Sequence, residues 1–211
     1  INKIPIKKVS DLMEYLHVVM FCPENLRLVK GHPKERRRMM DLCICQISKK
    51  YFYSLSQYLR IIERRNKLLK DNPASDTLWV WDEKMIKYGS EIIWARKLFI
   101  ELIEKYACAV QKDISNEKLK LIYKNGANIK DFSSINAVCE QFSEEQKKNA
   151  QREKIFGTTL IGPHRDDFEI YIDEKEAKIY SSQGQQRTAA LALKMGEVFL
   201  IKNKTGQMPV L

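Results

Sequence analysis

The spacing of apolar positions changes twice along the chain and predicts a helical middle region between two regions that contain strands. The apolar run LHVVMF at 16–21 ends at Cys22-Pro23, which predicts a buried strand that the proline stops. From Pro33 the period is that of a helix, because proline is accepted in a first helical turn. The apolar residues of this first helix are Ile47, Tyr51, Leu55, Tyr58, Leu59, Ile62 and Leu69.

A second helix is predicted after the break DNPAS at 71–75, starting near Ser75 or Asp76, since either residue caps a helix well. From Trp81 its apolar positions alternate steps of four and three, which makes a seven-residue packing seam against a partner helix. Two long helices joined by a short break run antiparallel. The apolar positions are Leu78, Trp81, Met85, Tyr88, Ile92, Ala95, Phe99, Leu102 and Tyr106.

Strand patterns return in the last part of the chain. KLKLIY at 118–123 alternates and predicts a short strand before Asn125-Gly126, and the polar stretch 131–153 is predicted to be helical. Further on, DFEIYID and AKIY flank Glu174-Lys175-Glu176, which predicts a β-hairpin. No internal repeat and no low-complexity linker interrupts the pattern.

The junction SSQGQQRTAALALKMGE at 181–197 joins a polar, glycine-containing turn to an apolar helix. Ser182 followed three residues later by Gln185 is typical of a capping box, in which both side chains satisfy backbone N–H groups at a helix start. The remaining N–H groups and the helix dipole favour a bound phosphate. A cap without any ligand is the alternative, because any helix start can carry this pattern.

Composition and charge narrow the class of partner. The 211 residues include 37 Lys and Arg and 27 Asp and Glu, which gives a net charge of +10. This charge favours a nucleic-acid partner. The alternative is a basic surface that is only well solvated. The five cysteines follow no zinc or disulfide spacing, which favours buried thiols in a reducing cytosol. No apolar run of 18 residues and no signal peptide occurs, so the prediction is a cytoplasmic protein without a membrane partner.

Two clusters of charged residues are candidates for phosphate or DNA contacts. Arg36, Arg37 and Arg38 lie in a predicted first helical turn, where the dipole disfavours cations and an anion would offset the cost. Nearby carboxylates are the alternative partners. The group His164, Arg165, Asp166 and Asp167 lacks a second ligand-rich motif, so a hydrogen-bonding role near a nucleotide or DNA is expected rather than a metal site. Arg187 is a further candidate, either for phosphate or for an internal carboxylate.

Three of these segments together resemble the RecF family of recombinational-repair ATPases, which is related to ABC and SMC ATPases. Ser182, Gly184 and Gln185 stand where the S-x-G-Q signature residues of that superfamily stand. PENLRLVKGHPKERRRMMD at 23–41 resembles the segment after the Q-loop equivalent, and GPHRDD at 162–167 resembles the segment before the signature. Gly196 departs from an alanine usual in the family, at a cost in helix propensity of up to about 1 kcal/mol.

The resemblance implies an α/β fold: an ABC-ATPase head segment, made of strands and a signature helix, with an inserted antiparallel helical arm. It divides the chain into a head segment at 1–32 with the Q-loop-equivalent region, a helical arm (lobe II) at 33–153 and a head segment at 154–211. No glutamine occurs between Phe21 and Lys30, so Glu24 or Asn25 would replace the Q-loop residue.

The implied function is that of a DNA-binding ATPase in gap repair, recombinase loading and replication restart, within the SOS response. ATP and Mg²⁺ would be the cofactors of the full-length protein, and the signature residues Ser182, Gln183, Gly184 and Gln185 would contact ATP held by the other subunit of an ATP-dependent homodimer. Duplex or gapped DNA and the mediators RecR and RecO would be its partners. The alternative is a non-catalytic helical module that binds DNA or protein.

Two motifs that such an ATPase needs are not present in the sequence. No G-x-x-x-x-G-K-[ST] string occurs among the 211 residues, and no apolar run ends in Asp-Asp. The family places Walker A before such a segment and Walker B after its PVL-like strand. The chain is therefore expected to be an internal fragment that has no catalytic residues of its own and that does not hydrolyse ATP alone.

Overall fold

Helices make up most of the chain. The computed structural model describes residues 15–211 and begins with a 3₁₀ turn at Pro23–Leu26 and the short helix α1 at Arg27–Lys30. Three longer helices follow, α2 at Pro33–Ile47, α3 at Lys49–Asp71 and α4 at Leu78–Ser115. The remaining elements are β1 at Leu119–Lys124, α5 at Ile135–Phe156, a 3₁₀ turn at Pro163–Arg165, β2 at Asp167–Ile172, β3 at Lys175–Glu176, α6 at Ala177–Tyr180 and α7 at Gln183–Thr205.

The three strands form one sheet in the order β1-β2-β3. Strand β2 buries Phe168, Ile170 and Ile172 on one face, as its alternating pattern requires. It pairs antiparallel with β3, and the turn between them has positive φ at Asp173 and Glu174. The predicted strand at 118–123 is confirmed, and so is the first strand of the predicted β-hairpin. The second strand is wrong, because Lys175 and Glu176, predicted to lie in the turn, form β3, and AKIY forms helix α6.

The predicted helix from Pro33 to Leu69 is interrupted at Ser48, whose backbone is extended (φ −148°, ψ 104°). Helix α2 buries Met40, Cys43 and Ile44, whereas α3 buries a different set that includes Tyr51 and Tyr58. The two helices bury their faces in two different compact units, which meet along the chain at Lys49 and Lys50. A single extended residue does not disturb the apolar period, so the pattern could not reveal the break.

The run LHVVMF is not the buried strand that was predicted. Only Val18 has a strand-type partner, in a parallel bridge to Val210. His17 and Val19 are buried while Leu16, Val18 and Met20 are exposed, so the run alternates in burial despite its apolar sequence. An exposed apolar side chain and a buried one look alike in sequence, which is why the run was interpreted as buried on both faces.

The seven-residue seam of α4 is half buried. Leu78, Met85, Ile92 and Phe99 have at most 8% of their surface exposed. The other half of the repeat, Trp81, Tyr88, Ala95, Leu102 and Tyr106, is only partly buried. The helix has a second buried row that includes Ile93, Arg96 and Ile103. Residues of one heptad therefore do not share one environment, and three aromatic rings are left near the surface.

Backbone contacts divide the chain into two compact units. The first comprises residues 1–49, 98–123 and 168–211, and the second comprises 50–97 and 124–167. These boundaries differ from the predicted domains at 1–32, 33–153 and 154–211, because α2 and the end of α4 belong to the first unit. The part of the first predicted domain that precedes residue 15 lies outside the described residues.

Each unit has its own core. In the first unit α2 packs on α7, and α7 also packs closely on α4 at Gly196. A Cβ at Gly196 would lie 3.2 Å from Ile103 Cγ1 and 3.3 Å from Ala107 N, so glycine here permits a close helix contact. In the second unit, Tyr58, Met85, Ile92 and Phe142 are completely or almost completely buried.

Candidate functional site

Helix α7 begins with the capping box that the sequence predicts. Ser182 Oγ accepts a hydrogen bond from Gln185 N at 3.2 Å, and Gln185 Oε1 accepts one from Ser182 N at 2.8 Å. Ser182, Gln183 and Gly184 are exposed. The backbone N–H groups of Gln183 and Gly184 have no intrahelical acceptor, as is normal at a helix start. The turn therefore presents a hydroxyl and N–H donors together at the surface.

A third residue, Glu117, holds this turn in place. Gln185 Nε2 donates to Glu117 Oε1 at 2.8 Å, so one amide side chain serves both the cap and the loop before β1. Glu117 Oε2 in turn accepts from Ser115 Oγ at 2.8 Å and from the buried Gln111 Nε2 at 2.9 Å. The predicted signature turn is thus tied to the C-terminal end of α4. No motif in the sequence marks Glu117, so its role could not be predicted.

A groove of about 510 Å³ runs beside the first turns of α7. One side is formed by Arg187, Ala190, Leu191 and Lys194 of α7, and the other by residues between Phe21 and Leu26. This places the exposed Arg187 opposite the Q-loop-equivalent region. Asn25 is bound within that region, since its Nδ2 donates to Met20 O and its Oδ1 accepts from Cys22 Sγ. Glu24 is solvent-exposed, and its pKa is lowered chiefly by a backbone hydrogen bond.

The three consecutive arginines of α2 lie in three different environments. Arg36 is 5% exposed, and its Nη1 donates to Leu28 O at 3.2 Å and to Gly31 O at 3.1 Å. These bonds satisfy carbonyls near the end of α1, so Arg36 is a structural residue and does not reach a phosphate outside the chain. Arg37 is half-buried and has partners within the protein, whereas Arg38 is exposed. Arg38 is therefore the most accessible of the three to an anion.

His164 and its neighbours lie in the second unit, where most of them hold a loop. His164 Nε2 lies 3.3 Å from Thr159 O, which can only accept, so Tyr58 Oη donates to His164 Nδ1 at 2.8 Å. Burial raises the pKa of Tyr58 well above its usual value, which keeps this donor protonated. The buried Asp166 accepts from Arg96 Nη1 at 2.8 Å and from Gly126 N at 2.7 Å.

Arg165 is the exposed member of that segment. Gly162 precedes it with φ 128°, a conformation that L-residues rarely adopt, and a Cβ there would lie 2.4 Å from Tyr58 Oη. Glycine is therefore required at 162 by this fold. Packing within the fold therefore accounts for most residue choices in the segment 162–167. Within that segment only Arg165 is exposed and accessible for a DNA or phosphate contact.

The described residues offer neither a metal-binding cluster nor a membrane-spanning helix. Within residues 15–211, no group of three His, Cys, Asp or Glu side chains is arranged to hold a metal ion. None of the helices in that range combines the length and the apolar character needed to cross a bilayer. All five cysteines lie in the described range and form no disulfide, and burial raises the pKa of the Cys43 thiol well above its usual value.

Comparison with known proteins finds relatives that are similar to this chain over its whole length. The chain is 42% identical over its whole length to the DNA replication and repair protein RecF of Alkaliphilus oremlandii (strain OhILAs). It is 40% identical over its whole length to the protein of the same name from Clostridium botulinum (strain Langeland / NCTC 10281 / Type F). The chain is homologous to RecF. It spans 59% of the first of these RecF proteins and 58% of the second, and no protein-family model matches it.

Solved RecF structures have the same fold. A structure of the recombination mediator protein RecF with ATPrS, in the RecFOR pathway, superposes with a TM-score of 0.92 at 36% identity. The superposition covers 97% of this chain and 56% of the RecF chain in that structure. The corresponding RecF–ATP structure gives a TM-score of 0.92 at 37% identity, over 98% of this chain and 56% of the other. The predicted fold class, an α/β ABC-ATPase head segment with a helical arm, is confirmed.

Proposed function

We propose that this chain is part of a RecF-type ATPase of recombinational repair, and that its signature turn completes a nucleotide site held by a second subunit. In this proposal Ser182 Oγ and the N–H groups of Gln183 and Gly184 meet the γ-phosphate of ATP bound in trans. Gln185 contributes through the cap and through its bond to Glu117. Donors that are fixed in advance stabilise phosphate charge better than donors that must reorganise.

The observation that carries the proposal is the open position of Gly184. A Cβ at this residue would meet only Ser182 Oγ, at 3.8 Å, and Gly184 is exposed. Packing within the chain therefore gives no reason for glycine, although glycine is a poorer helix former than alanine. Close approach of a ligand or a second subunit to the backbone supplies that reason.

The wider role follows from the RecF relatives and the net charge of +10. We infer that the full-length protein, in the cytoplasm, binds ATP with Mg²⁺, dimerises on duplex or gapped DNA and turns ATP over slowly. RecO and RecR are its proposed partners, in keeping with the RecFOR pathway of the matching structures. Recombinase loading, replication restart and the SOS response are the proposed setting. Arg37, Arg38, Arg165 and Arg187 remain candidates for phosphate contacts.

The test is Ser182→Arg in the full-length protein that carries this segment. Each subunit should still bind ATP nearly as well as the wild type, since the P-loop of its own chain holds the nucleotide. ATP-dependent dimerisation and most ATP turnover should be lost. Sedimentation with a non-hydrolysable ATP analogue measures dimerisation, and nucleotide binding is measured in parallel.

Ser134→Arg is the matched control. Ser134 caps α5 in the same way, with its side chain accepting from Ala137 N at 3.1 Å, and it is equally exposed. Both substitutions should lower stability by about 0.5–2 kcal/mol through loss of a cap. Only Ser182→Arg should abolish dimerisation. A folded Ser182→Arg protein that still dimerises with nucleotide would show that the signature assignment is wrong.

A further inference from the structure

Two aromatic rings of α4 lie on one side of the helical hairpin that α3 and α4 form in the second unit. Trp81 and Tyr88 are two turns apart on α4 and only partly buried, while Met85 and Ile92 of the same heptad are fully buried. Tyr53 of α3, 56% exposed, packs against Tyr88 edge to face, with the ring centres 6.0 Å apart. Aromatic surface is thus contributed by both helices along one side.

Three cations lie against these rings and not against carboxylates. The Arg64 guanidinium carbon is 5.7 Å from the centre of the Trp81 ring, and Lys84 Nζ is 5.6 Å from it. Lys87 Nζ is 5.5 Å from the centre of the Tyr88 ring. Among residues 15–211, no carboxylate lies within ion-pair distance of these three groups. Their charge is therefore available to an external anion.

The face extends along α3 beyond these contacts. Arg60, Arg64 and Lys67 are exposed, and their spacing from Tyr53 places all four on one side of the helix. Two of the neighbouring acids are engaged elsewhere, because Asp82 binds Arg65 at 2.7 Å and Glu91 binds Lys50 at 3.4 Å. Glu63 and Glu83 are exposed beside the cations, which outnumber them. We call this surface the basic–aromatic face. It consists of Tyr53, Arg60, Arg64, Lys67, Trp81, Lys84, Lys87 and Tyr88.

The composition of the basic–aromatic face favours nucleic acid over protein. Its exposed cations include Lys67, Lys84 and Lys87, and lysine is depleted where proteins bind proteins. Lys and Arg side chains supply many of the contacts to nucleic-acid phosphates. The 15 residues from Tyr53 to Lys67 span about 21 Å of helix, which equals roughly six phosphate spacings along one strand of a duplex.

We propose that the basic–aromatic face binds the phosphodiester backbone of DNA without regard to sequence, a step that rests on the proposed DNA role of the protein. The rings of Trp81 and Tyr88 hold the cations in place, so less side-chain entropy is lost when a phosphate binds. This site uses no residue of the signature turn. It is also separate from Arg38, which lies in the first unit.

The experiment compares two triple variants of the full-length protein, each of which removes one Arg and two Lys charges from the second unit. The test variant is R64Q/K84Q/K87Q. The control variant is K147Q/R152Q/K154Q, whose three exposed positions on α5 lie outside the face. Fluorescence anisotropy measures the affinity for a 30-base-pair duplex and for an oligo-dT strand across a salt series, without nucleotide. Thermal melts check that both variants are folded.

The test variant should bind both DNAs about tenfold or more weakly than the wild type. Its slope of log affinity against log salt should be smaller by about three, one for each lost phosphate contact, whereas the control should change little. An unchanged slope in the test variant, or an equal loss in the control, would overturn the proposal. So would intact DNA binding with lost binding to an acidic polypeptide such as polyglutamate, which would indicate a protein partner.

This experiment and the Ser182→Arg test can fail separately. DNA affinity is measured on nucleotide-free protein, and dimerisation is measured with the ATP analogue in the absence of DNA. A Ser182→Arg protein that still dimerises leaves the DNA result unaffected. Full DNA affinity in R64Q/K84Q/K87Q leaves the nucleotide result unaffected.

Discussion

Glu117 shows how one side chain outside any motif can position the predicted signature turn. Its two carboxylate oxygens accept from three donors, Gln185, Ser115 and Gln111, that come from α7 and from the end of α4. Hydrogen bonds to an ionised acceptor are among the stronger ones in proteins. Gln185 has a fixed orientation as a result, and the cap at Ser182 depends on that orientation.

We expect Glu117→Ala to weaken nucleotide-dependent dimerisation of the full-length protein more than it weakens nucleotide binding. The substitution leaves the amide of Gln185 without its partner, so the cap loses its orientation while the P-loop is untouched. Loss of the charged hydrogen bonds should also lower the free energy of unfolding by about 1–3 kcal/mol. Sedimentation with an ATP analogue and urea unfolding measure the two effects.

Asp113→Ala is the control for this prediction, since Asp113 is an exposed acid near the same end of α4. It should change neither quantity by more than about 0.5 kcal/mol. Equal dimerisation by Glu117→Ala and the wild type would show that Gln185 does not need Glu117. The cap itself was predictable, because Ser182 and Gln185 are three residues apart, whereas Glu117 and Gln185 are 68 apart and only the fold brings them together.

At the scale of elements, buried ion pairs organise the second unit. Arg65 of α3 is 1% exposed and binds Glu153 of α5 at 2.7 Å and Thr159 Oγ1 at 2.8 Å. Glu153 is fully buried and also accepts from Leu160 N and from Gln146 Nε2. Most donors and acceptors of this pair have partners, which is the condition under which a buried pair is tolerated. The pair therefore specifies how α3 and α5 meet.

A double-mutant cycle on Arg65→Met and Glu153→Met should reveal this coupling. Arg65→Met leaves Glu153 buried without its cation and should lower the free energy of unfolding by about 3–5 kcal/mol. Glu153→Met should be less destabilising, because Arg65 keeps Asp82 as a partner. The double variant should be less destabilised than the sum of the two, by about 1–3 kcal/mol. Urea unfolding followed by circular dichroism measures all four proteins.

The exposed pair Lys148 and Glu145 serves as the reference cycle, with N–O distance 2.7 Å and Lys148 64% exposed. Its coupling should be about 0.2–1 kcal/mol, because water screens surface pairs. If the Arg65 and Glu153 effects simply add, the two charges are not a stabilising unit. No sequence pattern marks this pair, since Arg65 occupies a position on α3 that a helical period assigns to an apolar residue.

Sequence patterns report local signals and not contacts between distant residues, and this difference explains which elements were predictable. Capping signals are local, so the start of α7 is predicted correctly from Ser182. The helix predicted at 131–153 begins within a few residues of α5, although no cap was assigned to it. The break at Ser48 and the helix at 177–180 depend on contacts with other parts of the fold. Half of the α4 seam is only partly buried for a related reason: the heptad gives the period of a surface but not the partner that covers it.

At the scale of the whole molecule, the excess of basic side chains is the property most relevant to an anionic partner. The sequence carries 37 basic and 27 acidic residues, yet the arginines singled out in α2 differ in access. Arg36 is bound to backbone carbonyls, and Arg38 is exposed. Net charge alone could not distinguish them, because a run of identical residues on a helix points in different directions.

The salt dependence of DNA binding should distinguish the structural role of Arg36 from a phosphate contact by Arg38 in the full-length protein. Log affinity for duplex DNA should fall linearly with log salt, and Arg38→Ala should reduce that slope by about one, as loss of one phosphate contact does. Arg36→Ala should leave the slope unchanged and instead lower the free energy of unfolding by about 1.5–3 kcal/mol, since two carbonyls lose a charged donor. Anisotropy titrations and urea unfolding provide both readouts. A slope that falls with Arg36→Ala but not with Arg38→Ala would contradict the placement of these arginines, because it would require the buried guanidinium to contact DNA.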